Sequence, residues 1–305
     1  VGISQATRQR IIQVAADLNY RPNAVARSLR SKVTNVVAFY NAQDGVFDPR
    51  YPFYASILAG VQAGCAEQHK HLLIHGNFED QSDDDIFLML HNGQIDGLVL
   101  YVRAVSPLVE RLIESHLPVV TVAEQVPGLP YVGIDEEQGG RLLARHLAAR
   151  GYQRVLYRTG EEELIPLTQR QRMEAFRDEA TALGLTVTVV GSNPKTNMPS
   201  PEEEKLLLSK AAERPEVVAC WGDVSADGIA AFCMKHGVRI PQDIALVGFD
   251  DLPSTQRPSL RLTTIHAPWS EVACTAIRLL VAQCEGKKVP TTTILPVELV
   301  EGDTT

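Results

Sequence analysis

The sequence predicts an α/β protein of two doubly wound parallel-sheet domains, preceded by a short basic helical arm. Three observations predict this. Short apolar runs at 36–40, 97–101, 154–157 and 217–221 alternate with segments of helical length, the pattern of successive βα units. The run at 36–40 is apolar throughout rather than alternating, as a parallel strand covered on both faces is. The chain has 305 residues, too many for one ordinary core and about right for two.

Taking the elements in order, Ser4 is placed to cap a helix over 5–18. Ile11, Ala15 and Leu18 share one face of it, widened by Ile12 and Val14, and one helix cannot bury that face alone. Residues 20–32, YRPNAVARSLRSK, predict a second, short helix capped by Asn23. Arg21, Arg27, Arg30 and Lys32 make it basic, and no acid stands between Asp17 and Asp44. A helix this short is marginal in water without outside contacts. It reads as a helix held by an anionic partner, nucleic acid being the natural one. Leu29, apolar among arginines, suits the apolar wedge that some architectural proteins insert into the minor groove. The plainer alternative is a polar interdomain linker.

The first series of βα units follows: strand 36–40, helix 53–67, strand 72–75, helix 84–92, strand 97–101, helix 107–116, strand 119–122 and an extended piece at 131–134. Acids open the helix at 84, where the positive end of the helix dipole favours them. A second series starts near Asp135: helix 138–150, strand 154–157, helix 168–183, strand 186–190, a helix starting at Ser200, strand 217–221, helix 225–236 and strand 244–249. Ser200-Pro201-Glu202-Glu203 is a strong helix start, and Gly237 a stop. The tail offers an extended piece at 262–266, a helix at 269–284 and a strand at 293–300. One helix and one strand make no core, so they are expected to return to the two existing sheets.

Charge is unevenly distributed. Residues 1–32 carry six basic side chains against Asp17, a net +5, which leaves −13 on residues 33–305 of a total of −8. A basic arm on an acidic body suits an anionic polymer at one end only. The five cysteines are scattered and never in C-x-x-C spacing, which favours reduced thiols in a cytoplasmic protein over a disulfide framework. His69 and His71 flank Lys70 but have no further ligands near in sequence, so no metal is expected. No apolar run reaches the length of a membrane span, and VGISQATRQR is not a secretory leader. The sequence contains no G-x-S-x-G, G-x-x-x-x-G-K, H-E-x-x-H or G-x-G-x-x-G, and the acid run Glu161–Glu163 reads as solvated surface. An enzyme is not expected, nor is a cofactor.

In open α/β sheets, ligands collect beyond the carboxyl ends of the strands. Phe53 and Tyr54, Arg172, Trp221 and Asp223, and Asp250 and Asp251 all follow strands in that way. An arginine fork, a carboxylate acceptor and aromatic walls together suit a small polar ring. The competing readings are a solvated arginine paired with Glu174 or Asp178, a turn-forming Asp250 and a core Phe53.

The run SQATRQRIIQVAADLNYRPNAVARSLRSK resembles the lactose-repressor and purine-repressor (LacI–GalR type) family of bacterial transcription regulators. It looks like the third helix of their DNA-binding headpiece followed by the hinge helix. The chain begins in the turn after the place where that family carries its recognition helix. RQRMEAF, VRIPQDIALVGFDD and LTTI extend the resemblance over most of the chain. It implies a periplasmic-binding-protein-like body with three crossovers and an effector cleft between lobes. The implied divisions are 1–34 for the partial headpiece and hinge helix, 35–134 with 267–290 for the first lobe, and 135–266 with 291–305 for the second. It implies DNA contacts from Tyr20, Asn23, Arg27, Leu29 and Arg30, with Leu29 as the wedge, and effector contacts from Phe53, Tyr54, Arg172, Trp221 and Asp250. A homodimer on a pseudo-palindromic operator, regulated by a small sugar-like effector, is what the resemblance leads one to expect. The rival is a stand-alone solute-binding protein. Two departures stand out. Gly222 replaces an asparagine, and Ala123-Glu124 replace Asp-Arg, of many sugar-binding relatives. Both changes remove groups that bind sugar hydroxyls, which leaves a phosphorylated sugar, a nucleobase-like ring or a sugar acid open as effector.

Overall fold

The structure is a computed structural model. It describes residues 3–20, 33–42, 52–76, 81–102, 105–160, 165–192, 197–253 and 260–305. The expected helix at 20–32 therefore lies outside the described residues, apart from Tyr20.

Helix α1 (Gln5–Asp17) starts as the sequence predicts, with the Ser4 hydroxyl accepting from the Thr7 N–H. It ends where Asn19 enters the left-handed region at φ 49° and the Tyr20 N–H donates back to the Ala15 carbonyl at 2.8 Å. None of its residues is buried. Ile11, Ile12, Val14 and Leu18 all face solvent, so the apolar face read from the sequence has no cover among the described residues.

The first lobe is a six-stranded parallel sheet. Strands β1 (Val36–Asn41), β2 (His71–His75), β3 (Gly97–Tyr101), β4 (Val119–Val122), β5 (Tyr131–Ile134) and β11 (Thr292–Leu295) lie in the order β11-β5-β4-β3-β1-β2. Helices α2 (Pro52–Glu67), α3 (Asp83–Leu90) and α4 (Pro107–Glu114) connect them. Ser82 and Asp85 form a reciprocal capping box at α3, and Ser106 caps α4 ahead of Pro107. The second lobe is a four-stranded parallel sheet of β6 (Arg154–Thr159), β7 (Thr186–Gly191), β8 (Val217–Cys220) and β9 (Ala245–Val247), in the order β7-β6-β8-β9. Its helices are α5 (Glu136–Ala149), α6 (Leu167–Ala182), α7 (Pro201–Leu207) and α8 (Asp223–His236). Ser200 and Glu203 make the capping box expected at α7, and Gly237 at φ 71° ends α8. Both sheets reverse winding direction beside their first strand, so each lobe has a switch point there.

The tail returns to both lobes. Helix α9 (Trp269–Cys284) packs along α2, and the contact is close because Gly60 lacks a side chain: a Cβ there would stand 2.0 Å from the Ser270 carbonyl oxygen. The single strand expected at 293–300 is two. Strand β11 pairs in parallel with β5, whose edge it covers, while β12 (Glu298–Val300) pairs antiparallel with β10 (Thr264–His266) beside the second sheet. This corrects the division of the tail: residues 292–295 complete the first sheet rather than the second lobe, and the last crossover follows Leu295. The chain thus passes between lobes near Asp135, Ala267 and Val297. One apolar cluster runs through both lobes, from Phe39 and Ile57 to Phe176 and Phe249, with Trp269 and Ile277 of α9 between.

Replacing Gly60 by Ala should cost at least about 2 kcal/mol, because neither helix backbone can retreat without opening that cluster. Urea unfolding with an unchanged midpoint would show that α9 does not depend on this approach.

Candidate functional site

The carboxyl ends of the strands in the second lobe, together with the end of β4, bring charged side chains into one nearly closed cluster. Arg172 lies on the buried face of α6, where Gly140 of α5 lets the helices touch: a Cβ at Gly140 would be 2.4 Å from the Arg172 carbonyl oxygen. The guanidinium is 5% exposed as a residue and is held on three sides. Its Nε and Nη2 reach Glu136 Oε2 at 2.7 and 2.6 Å, and its Nη1 donates to the Trp221 carbonyl. Its plane lies over the Phe249 ring, 3.4 Å from the centroid. Burial works against the charge on Arg172, but Glu136 and Asp250 more than offset it and raise its pKa. Of five guanidinium N–H groups, these contacts use three.

Asp250 sits just beyond β9 in a left-handed conformation, φ 101°, which an L-residue with a side chain rarely adopts. Asp251 follows at φ 55° and pairs with His266 at 2.9 Å. The strain is held by the strand alongside: the Asp250 N–H donates to the Ile265 carbonyl at 2.8 Å. Its carboxylate Oδ1 accepts from Trp269 Nε1 at 3.1 Å. Burial pushes the Asp250 carboxyl up to about 6, against the pull of Arg172. Burial likewise pushes Glu136 up to about 7, with the adjacent guanidinium opposing.

The predicted effector residues fall into two groups. Arg172, Asp250 and Trp221 come together. The Trp221 Nε1 is buried with no hydrogen-bond acceptor among the described residues. Phe53, at the start of α2, joins them through Trp269, with the rings edge to face at 5.0 Å. Tyr54 does not reach the charged cluster: it is buried against Phe53 and Tyr101 as part of the core. Asp223, which the sequence also offered, is built into the fold, accepting from Leu252 N–H and the Thr264 hydroxyl.

Sequence reasoning missed Glu136, Trp269 and Thr168, and treated Glu124 only as the loss of an arginine. Glu136 fell just outside the helix read from 138, and Trp269 only marked the start of the helix at 269–284. Glu124 is buried at the end of β4, and the Thr168 hydroxyl donates to its Oε1 across the gap between lobes.

Among the DNA-contact candidates, Asn23, Arg27, Leu29 and Arg30 lie outside the described residues. Tyr20 is exposed at the end of α1. A concavity of about 730 Å³ runs along that helix, lined by Arg10, Ile11, Val14, Leu18 and Tyr20 among others, all of α1 or the turn after it. It is the uncovered apolar face of α1 and holds no buried polar group; the buried charged groups lie in the Arg172 cluster instead.

Residues 144–305 match the family described as periplasmic binding protein-like domain. The chain is 26% identical over 293 residues to the HTH-type transcriptional repressor PurR of Aliivibrio fischeri, covering 93% of this chain and 85% of that protein. It is 29% identical over 302 residues to PurR of Aliivibrio salmonicida, with the same coverage. Among solved structures, a LacI-family regulatory protein from Chloroflexus aggregans superimposes with a TM-score of 0.75 at 23% identity, over 88% of this chain and 98% of that one. A transcriptional regulator CelR–cellobiose complex superimposes with a TM-score of 0.74 at 23% identity, over 99% and 92%.

Two outcomes test the cluster. Glu136→Ala should cost about 3–5 kcal/mol, because it leaves a buried guanidinium without its counter-charge; calorimetric unfolding within 1 kcal/mol of wild type, a limit of about the size of a surface pair, would contradict this. A raised carboxyl pKa stabilises the fold below its unfolded value and loses that contribution as pH rises through the folded one. Between pH 4 and 6 the stability of wild type relative to Asp250→Asn should therefore fall by on the order of 1–3 kcal/mol. A difference flat with pH would exclude this origin. With the fold, the cluster and the relatives in place, the chain belongs to the periplasmic-binding-protein-like domain family and sits among its LacI–GalR-type regulators.

Proposed function

We propose that this protein is an effector-responsive, DNA-binding transcriptional repressor that takes a small polar ligand between its lobes. The observation that carries the reading is the convergence of Arg172, Asp250 and Trp221 beyond the strand ends, in a fold whose curated relatives are HTH-type repressors. The relatives are regulators rather than enzymes, and no described helix is long and apolar enough to cross a membrane.

Ligand binding acts on the relation between the lobes. Glu124 and Thr168 join them directly, and Asp250 of the second lobe holds Trp269, the first residue of the helix packed along α2. A ligand that replaces or reinforces these contacts shifts the balance between lobe arrangements by its differential affinity for them. The arm reads that shift. Tyr20, Asn23, Arg27, Leu29 and Arg30 are proposed as its DNA contacts, Leu29 as the wedge. Two arms are needed for a two-fold symmetric operator, and a homodimer supplies them. Leu73 and Ile74 on the edge strand β2, and Leu88 and Met89 on α3, are exposed apolar side chains of the kind a second copy would cover.

In the full-length protein, Leu29→Ala should weaken binding to an operator selected from random duplexes at least tenfold and leave effector affinity unchanged. Arg172→Ala should abolish the effector response while operator binding persists. Equal operator affinity in a gel-shift titration would remove the wedge. An intact effector response in Arg172→Ala would move the ligand site elsewhere.

A further inference from the structure

Some glycines of the second lobe are required by packing. A Cβ at Gly228 would stand 1.8 Å from the Asn197 carbonyl oxygen, and one at Gly248 would stand 2.1 Å from Asp223 Oδ1. Gly222 is not of that kind. Its backbone is extended, φ −166° and ψ 164°, a conformation open to any residue. Among the described residues, a Cβ there would come within 4 Å of two heavy atoms outside its chain neighbours, Asp250 Oδ2 at 3.2 Å and the Phe249 carbonyl oxygen at 3.9 Å. Yet Gly222 is buried. It is also the N-cap of α8 and makes no side-chain cap, whereas Ser4, Ser82, Ser106, Asp135 and Ser200 cap their helices. A serine or asparagine at 222 would satisfy a first-turn N–H. The glycine therefore keeps open a small space that neither the backbone nor the helix asks for.

The wall of that space has a definite chemistry. Asp250 is 9% exposed, and its Oδ1 accepts from Trp269 Nε1. Its Oδ2 faces the position of the absent Cβ and has no donor among the described residues. The carboxylate is not free to turn away, because the Asp250 N–H is held by the Ile265 carbonyl and Oδ1 by the indole. Both atoms bordering the space are oxygens, so the occupant that fits is a hydrogen-bond donor. An apolar group would leave Oδ2 buried and unpaired. An ionised phosphate or carboxylate would set acceptors against acceptors. Donors for the acceptors of the same ligand are supplied beside it: Arg172 donates to the Trp221 carbonyl, one residue away, and Trp221 Nε1 is buried without an acceptor.

We propose that Gly222 is a specificity-determining residue, which leaves room for an O–H or N–H of a small polar ring to donate to Asp250 Oδ2. The effector itself then occupies the place of the side chain that Gly222 lacks. This inference rests on the effector-site reading above and deepens it. It disfavours the phosphorylated sugar and the sugar acid wherever their anionic group would lie over Gly222.

The test is calorimetric titration of the full chain with glucose, galactose, ribose, adenine, hypoxanthine and uracil, and with glucose 6-phosphate and orotate as anions. The tightest binder is then compared with derivatives that each lack one donor, an O–H or amine replaced by hydrogen or a ring N–H by C–H. One such loss should weaken binding to wild type at least tenfold. Gly222→Ala should weaken the parent probe at least tenfold but bind that one derivative within threefold of wild type, since the methyl group fills space the derivative leaves empty. Gly222→Ala should also melt at or above the wild-type temperature, because nothing in its backbone conformation resists alanine. Asp250→Asn should reduce the margin between parent and derivative. Parent binding lost in Arg172→Ala but unchanged in Gly222→Ala would overturn the role of Gly222 and leave the effector site standing. So would equal binding of every derivative to wild type, or a Gly222→Ala variant that fails to fold. Binding indifferent to Arg172 and Asp250 as well, or no binding by any probe to wild type, would count against both.

Discussion

The interior of the second lobe is arranged around a positive charge that cannot leave. An arginine stays protonated at any pH the protein meets, so Arg172, once buried, obliges the fold to supply a counter-charge and acceptors. Glu136 provides the first, from the opening turn of the neighbouring helix. The Trp221 carbonyl, at the end of a strand, provides an acceptor, and the face of Phe249 provides a low-cost neighbour for the remaining surface. These requirements fix the register of α5 against α6 and of both against the strand ends, and Gly140 supplies the closeness they need. The candidate site is thereby also a keystone of the packing.

The same logic links the lobes. Asp250 adopts a backbone conformation with an intrinsic cost and is held there by pairing with the strand that leads into the second crossover. The Trp269 indole fixes its carboxylate, and Trp269 opens the helix that lies along the first lobe. From the strained aspartate to the packed helix is a short series of direct contacts, each with a stated partner. Movement of one lobe against the other must disturb either this series or the hydrogen bond between Thr168 and Glu124. Both touch the candidate site, so that site and the lobe arrangement share the same few groups.

The fold was largely legible because parallel strands buried on both faces leave an unmistakable apolar run, and because helix starts such as Ser200-Pro201-Glu202-Glu203 are written locally. The tail was harder. Residues 293–300 read as one strand since nothing local marks the break between β11 and β12, and which sheet receives β11 depends on the open edge of β5, a non-local fact. Arg172 and Asp250 were picked out as candidates by residue type and position after strands, and the structure brings the two together. Glu136, Trp269 and Thr168 were not, because an acid in a first turn, a tryptophan at a helix start and a threonine in a first turn each have an ordinary local explanation. Their roles exist only once α5, α6 and α9 are packed. Tyr54 misled in the opposite sense: adjacent to Phe53 in sequence, it turns into the core, since neighbouring positions on a helix point about 100° apart.

The sequence contains two tryptophans, Trp221, whose backbone carbonyl takes part in this cluster, and Trp269, whose indole does. One donates its indole N–H to a carboxylate, and the other has its indole N–H buried without an acceptor. Indole emission depends on nearby charge and on solvent contact. The protein therefore carries an intrinsic optical reporter attached to residues of this cluster, with no background signal from tryptophan elsewhere in the chain.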